Sequence, residues 1–145
     1  CECPLGFPFG YDPLYDGNLA HIHYGQDFKC FTGTPIVSCT DGLVVTAAAD
    51  QPVFFPMVSP GAWGTVVSVQ ITERDPRWPL LWVGDEIDYC HLSELRCAVG
   101  DVVTAGQLIG LSGESGLTFG PHLHFAVRRQ GIRISPFSVL PQLAS

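Results

Sequence analysis

The chain has 145 residues, 46% of them hydrophobic, which is enough for one domain with a real core. Its formal net charge is −7, Lys29 is the only lysine, and no basic cluster exceeds Arg128-Arg129. That surface excludes a partner made of nucleic-acid phosphates, and no run of eighteen apolar residues suggests a membrane-spanning helix.

Residues 1–20 are rich in Gly, Pro and aromatics and read as an irregular arm packed on the body, ahead of a core over 21–137. The sequence opens on Cys1 rather than Met, as a processed piece would, so a missing signal peptide says little. Next comes His23-Tyr24-Gly25-Gln26-Asp27. Gly33-Thr34-Pro35 reads as a turn, Ile36–Cys39 as a strand, and Asp41-Gly42 as a hairpin turn into a strand over Leu43–Ala48. Residues 51–64 hold three prolines, Phe54, Phe55 and Trp63, too apolar for a solvated linker; a cleft wall is one reading. Thr65–Ile71 is a clear strand, residues 73–85 a long loop carrying Trp78 and Trp82, and Glu86–Cys90 a short strand leading to His91. Val99–Gly110 reads strand, turn, strand, and a glycine-rich loop over 113–120 delivers the chain to Pro121-His122-Leu123-His124-Phe125. That strand ends near Arg129, where Gly131 permits a hairpin to Ile132–Ile134. No segment keeps a helical period, so the expected architecture is all-β, one 1–145 domain built on an antiparallel sheet.

The histidines carry the chemistry. In a strand, alternate side chains share a face, so His122 and His124 point together while Leu123, Phe125 and Val127 point into a core. Imidazole and carboxylate suit Zn²⁺ where thiolates are absent, and a hydrolytic site wants three protein ligands and one open position. His23, Asp27 and one histidine of the pair supply that count, leaving the other for acid/base work. The His23 and His122/His124 segments are flanked by glycine, and with His91 in Asp88-Tyr89-Cys90-His91-Leu92-Ser93 they account for four of the five histidines. No His-Glu-x-x-His motif is present to provide a glutamate base.

Six cysteines in a small chain suit disulfides and an oxidising compartment. The sequence-local pairings are Cys30–Cys39 and Cys90–Cys97.

Taken in order, His-x-Gly-x-Asp, Gly-Thr-Pro-Ile-Val, Asp-Gly-x-Val, Tyr-x-His-Leu-Ser, Val-x-x-Gly-Gln-x-Ile-Gly and Gly-Pro-His-Leu-His-Phe resemble the lysostaphin-like zinc endopeptidases from His23 to Phe125. The resemblance implies an antiparallel sheet forming an open groove, long loops at one side and zinc at the groove floor. It implies zinc ligands His23, Asp27 and His124, a catalytic pair His91 and His122, and cleavage of peptide bonds in bacterial peptidoglycan. Tyr89 matches the family tyrosine two before the histidine, with either a site role or inward packing. Trp78 and Trp82 are expected as substrate-binding walls, with ordinary core as the alternative. The expected partner is a peptidoglycan peptide, with an appended or partner wall-binding module or a virion component, in an extracytoplasmic setting: secreted, cell-wall, or phage lysin or virion. Three rivals are weighed. A silent wall-binding or hydrolase-activating module would have lost a ligand, and none is missing. A biotin- or lipoyl-type carrier would present a lysine on the Val99–Gly110 hairpin, and it has none. A structural zinc site would be closed and cysteine-rich.

Overall fold

The computed structural model describes residues 3–6, 8–11, 22–49, 63–116, 118 and 120–144. In chain order the strands are β1 (Gly10–Tyr11), β2 (Ile22–His23), β3 (Gln26–Phe28), β4 (Pro35–Val37), β5 (Gly42–Ala48), β6 (Thr65–Gln70), β7 (Glu86–Leu95), β8 (Val102–Val103), β9 (Leu108–Ser112), β10 (Leu123–Arg129) and β11 (Ile132–Ile134). A one-turn helix, α1 (Pro136–Val139), and a 3₁₀ turn, Pro141–Ala144, follow. Nine strands form one antiparallel sheet in the order β11-β10-β7-β6-β5-β8, with β3 beside β10, β9 beside β7 and β4 beside β9. The all-β expectation holds.

Alternation along the central strands divides the sheet into two faces. Val67 and Val69 of β6, Ile87 and Tyr89 of β7, and Leu123, Phe125 and Val127 of β10 are buried together with Ile36, Leu92, Val103 and Ile109. Branched and aromatic side chains suit a pleated, buried surface, and each contributes roughly 1.5–3 kcal/mol by leaving water. The opposite face carries Ser68, Asp88, Cys90, His124, Ala126 and Arg128, which floor a cleft of about 240 Å³ walled by Thr46, Ala48, Val66, Trp63 and Arg133.

Two sequence expectations change. β4 does not form a hairpin with β5 through Asp41-Gly42; it pairs with β9, while β5 pairs with β6 and β8. The corner is tied elsewhere: the Asp41 carboxylate accepts from Ala105 N at 2.8 Å and Arg77 NH2 at 2.8 Å. Gly42 is required because a Cβ there would sit 2.5 Å from the Gln70 carbonyl oxygen. The local cysteine pairings also fail. Cys30 is bonded to Cys3, with Cα atoms 5.5 Å apart, while Cys39, Cys90 and Cys97 are free thiols. The reason is strand geometry. Lys29 N donates to Pro4 O and Gly6 N to Asp27 O, so residues 3–6 run beside β3 and bring Cys3 to Cys30. Cys90 lies inside β7, which stays extended to Leu95 and carries Cys97 away from it. The hairpin of β10 and β11 forms as expected, around Gln130 and Gly131, both with positive φ.

Candidate active site

β10 sets the site. His124 lies between Asp27 of β3 on one side and Cys90 of β7 on the other. Its ring fills the space over Gly25, where a Cβ would come within 2.6 Å of it, so the glycine of the first motif is a steric requirement. His23, Asp27 and His124 are all buried, and their donor atoms form a small triangle. His23 Nε2 is 3.1 Å from His124 Nδ1 and 3.2 Å from Asp27 Oδ1; His124 Nδ1 is 3.0 Å from Asp27 Oδ1.

Proton placement decides what that triangle can hold. His23 Nδ1 donates to the Pro8 carbonyl at 2.7 Å, so its Nε2 turns a lone pair inward. A carboxylate oxygen and a second imidazole nitrogen meet it. Three electron-rich atoms converging in a buried place suit a cation. Zinc bonds of about 2.0–2.1 Å in a tetrahedron put neighbouring ligand atoms about 3.4 Å apart, close to this triangle. His124 Nε2, buried and without a hydrogen-bond partner among the described residues, leaves Nδ1 as the working atom of that ring. Burial raises the Asp27 pKa, but the neighbouring His124 and His23 imidazoles outweigh it, holding the carboxyl well below its usual range. The donor set therefore fits a zinc ion with one coordination position open.

His91 reaches the side of His124, with ring centres 5.9 Å apart, by a local irregularity. Regular alternation would turn it to the core, since Tyr89 faces inward. Between the Val67–Tyr89 and Thr65–Leu92 pairs, β7 spends three residues where β6 spends two. His91 takes φ 62° there, a positive value that re-aims its side chain. A non-glycine residue in that region costs about 1–3 kcal/mol. The surroundings hold it: His91 Nδ1 donates to Ser115 O at 2.7 Å, and Ser115 Oγ bridges Leu92 O and Thr65 N. Gly64 makes room, because a Cβ there would collide with Ser115. Burial pushes the His91 pKa down to about 4, against the opposing Ser115 hydrogen bond. His122 Nδ1 is held by Gly120 O at 2.9 Å and Thr118 Oγ1 at 3.1 Å, and its Nε2 lies 3.6 Å from Asp27 Oδ1. The His91 and His122 rings are 4.8 Å apart. Both imidazoles thus spend Nδ1–H on a carbonyl and keep Nε2 as the accepting nitrogen.

Five of the eight expected site residues are brought together; three are not. Tyr89 takes the inward alternative: its hydroxyl accepts from Cys39 N at 3.0 Å and donates to Cys39 Sγ at 3.2 Å, beneath Phe125. Trp78 is buried in the core and Trp82 is exposed, each under an arginine, Arg77 and Arg129 respectively. Their loop joins Gln70 to Glu86, the end of β7 five residues, or about 16 Å, from His91. Neither tryptophan lines the cleft beside the donor triangle. Trp63 does, stacked on His124 with ring centres 4.8 Å apart. Its aromatic, proline-rich neighbourhood was the available signal; Phe54 and Phe55 lie outside the described residues. Pro8, Ser115 and Thr118 act through backbone and hydroxyl contacts that leave no motif.

The peptidase family M23 model matches residues 21–136. Among curated proteins, the chain is 34% identical over 120 residues to the glycyl-glycine endopeptidase ALE-1 of Staphylococcus capitis, covering 81% of this chain and 27% of that protein. It is 30% identical over 135 residues to the DD-carboxypeptidase/endopeptidase Mpg of Neisseria meningitidis serogroup B, covering 93% of this chain and 26% of that protein. The chain therefore spans about a quarter of the length of these relatives. The catalytic domain of the antimicrobial peptidase lysostaphin from Staphylococcus simulans superposes with TM-score 0.72 at 30% identity, covering 99% of this chain and 93% of that one. With the ordered motifs, the histidine–aspartate triangle and the sheet all in agreement, this chain belongs to peptidase family M23.

Proposed function

We propose that the chain is a zinc-dependent endopeptidase domain that hydrolyses peptide bonds in bacterial peptidoglycan. The observation that carries this is a three-donor buried triangle flanked by two imidazoles whose accepting nitrogens remain uncommitted. The names of its relatives, a glycyl-glycine endopeptidase and a DD-carboxypeptidase/endopeptidase, support the substrate class.

His23 Nε2, Asp27 Oδ1 and His124 Nδ1 would hold the zinc. A zinc ion bound there supplies Lewis acidity and brings the pKa of a bound water from about 15.7 to about 7. One aspartate against a divalent cation leaves the centre net positive, which favours the oxyanion that develops as the scissile carbonyl is attacked. His91 and His122 act jointly: an Nε2 accepts the proton of the attacking water and returns it to the departing amine nitrogen. Burial keeps His91 neutral, hence able to accept, at any pH well above about 4. Ser115, Gly120 and Thr118 fix both rings by holding the Nδ1 protons. The groove floor receives the peptide, and the chain works as one catalytic domain outside the cytoplasm, alongside a wall-binding module or virion component that grips the polymer.

The test is digestion of purified sacculi with two cross-bridge chemistries, with mass spectrometry of the released fragments. New amino and carboxyl termini within the peptide, abolished by chelation and restored by Zn²⁺, are expected. Undigested sacculi of both kinds with zinc-replete protein would overturn the reading.

A further inference from the structure

The cleft contains one cation without a carboxylate partner among the described residues. Arg128 is committed: its guanidinium donates to Asp88 at 2.7 and 2.8 Å and pairs with Glu86 at 3.0 Å. Asp88 also accepts from Ser68 Oγ at 2.6 Å. Arg129 is spent on Asp85 at 2.8 and 3.0 Å. Arg133 lines the same cleft, directly opposite Arg128 in the β10–β11 register, and its Nε is buried without a hydrogen-bond partner. A buried guanidinium donor left unsatisfied carries a desolvation cost that an arriving anion would relieve.

Its location says which anion. The Arg133 guanidinium lies 5.0 Å from the centre of the Trp63 ring, and that ring stacks on His124 at 4.8 Å. Both lie against one indole, so the guanidinium is within about 10 Å of the His124 ring, the span of about three extended residues. We infer that Arg133 is a substrate-recognition residue that pairs with a free carboxylate of the bound peptide, about three residues or fewer from the scissile bond. The inference rests on the peptidase reading above and narrows it: the preferred substrate is a carboxylate-bearing stem peptide rather than a bridge of uncharged residues. The Trp63 ring face beside the Arg133 guanidinium favours its charge, and a guanidinium offers a planar fork of donors suited to a carboxylate.

The test uses zinc-loaded protein and two compounds: a cross-linked pair of stem peptides with its carboxylates free, and the same compound with every carboxylate amidated. Wild-type protein is expected to favour the free acid by at least about tenfold in kcat/KM, the worth of one charge-assisted pair. In Arg133→Gln that ratio should collapse toward one, and Arg133→Lys should recover part of it, with zinc content and melting temperature confirming folded protein. Calorimetric titration of both compounds gives a second readout. If no compound and no sacculus is cut, the peptidase reading fails, yet a tenfold affinity difference lost in Arg133→Gln still sustains the assignment of Arg133. Equal affinity for acid and amide in wild type, or a preference that survives Arg133→Gln, overturns it.

Discussion

The two ends of β7 use similar residue types for opposite purposes. At the Glu86 end, charged and aromatic side chains neutralise one another: Arg128 on Asp88 and Glu86, Arg129 on Asp85 and across the Trp82 ring at 3.7 Å. At the His91 end, polar groups are held but not consumed. Backbone carbonyls take the outer nitrogens of His23, His91 and His122; the inner nitrogens of His23 and His122 lie near Asp27, and the His91 ring lies beside those of His122 and His124. A closed network gives stability, whereas lone pairs turned toward one another give a place for a cation. What separates structural from chemical polarity here is whether each group's last hydrogen-bonding position is already filled.

The largest expected effects break the His91 end. A His23→Ala, Asp27→Ala double variant should lose its zinc by elemental analysis, and with it detectable cleavage. His91→Ala and His122→Ala should keep zinc but lose at least about a hundredfold in kcat/KM, the usual worth of a general acid or base. A zinc-free His122→Ala would move the ligand role to that histidine.

At the other end the expected losses are of stability, not turnover. Trp78→Ala should cost about 3–5 kcal/mol through the cavity it leaves. Exposed Trp82→Ala should cost no more than about 1 kcal/mol, the scale of its contact with Arg129. Denaturant titration measures both. A fall in kcat/KM for folded Trp82→Ala would restore that tryptophan to the substrate path.

The smallest effect is a pH dependence of the zinc-free protein. His91 in the fold binds its proton only near pH 4, against about 6.5 unfolded. Between those values the unfolded chain holds more protons, so stability falls as the pH falls through that window. The loss is at most about 3 kcal/mol, and the lowered pKa of buried His124 acts in the same direction. Asp27 acts lower down, its contribution disappearing only as the pH drops below the ordinary carboxylate range. Denaturation midpoints at pH 7 and 4.5 check this. An equal midpoint at both, or a His91→Gln variant with an undiminished slope, would separate His91 from the effect.

The motifs made much of this legible. Ligand types with a fixed spacing, His23 to Asp27 and His122 to His124, are local facts, and strand alternation orients them without further information. Branched runs such as Val66–Val69 likewise announced a sheet. What the sequence left unread depended on distant contacts. β4 joins β9 rather than β5 because pairing partners are chosen by the whole sheet, and Cys3 meets Cys30 through an arm alongside β3. Trp63 and Trp78 look alike in sequence, both in aromatic, proline-bearing loops; only the end of the strand to which each loop is attached distinguishes them. Arg133 carries no motif at all, and stands out only once the carboxylates around its neighbours are seen to be taken.

The extra residue in β7 sets how this domain can change over time. Deleting His91 itself would restore even pleating and remove one imidazole, while the three donors at Asp27 stayed where they are. The same scaffold would then keep its three converging donors and its cleft but lose one of the two imidazoles beside them. One codon of length in a strand is thus the distance between a donor triangle flanked by two imidazoles and one flanked by a single imidazole.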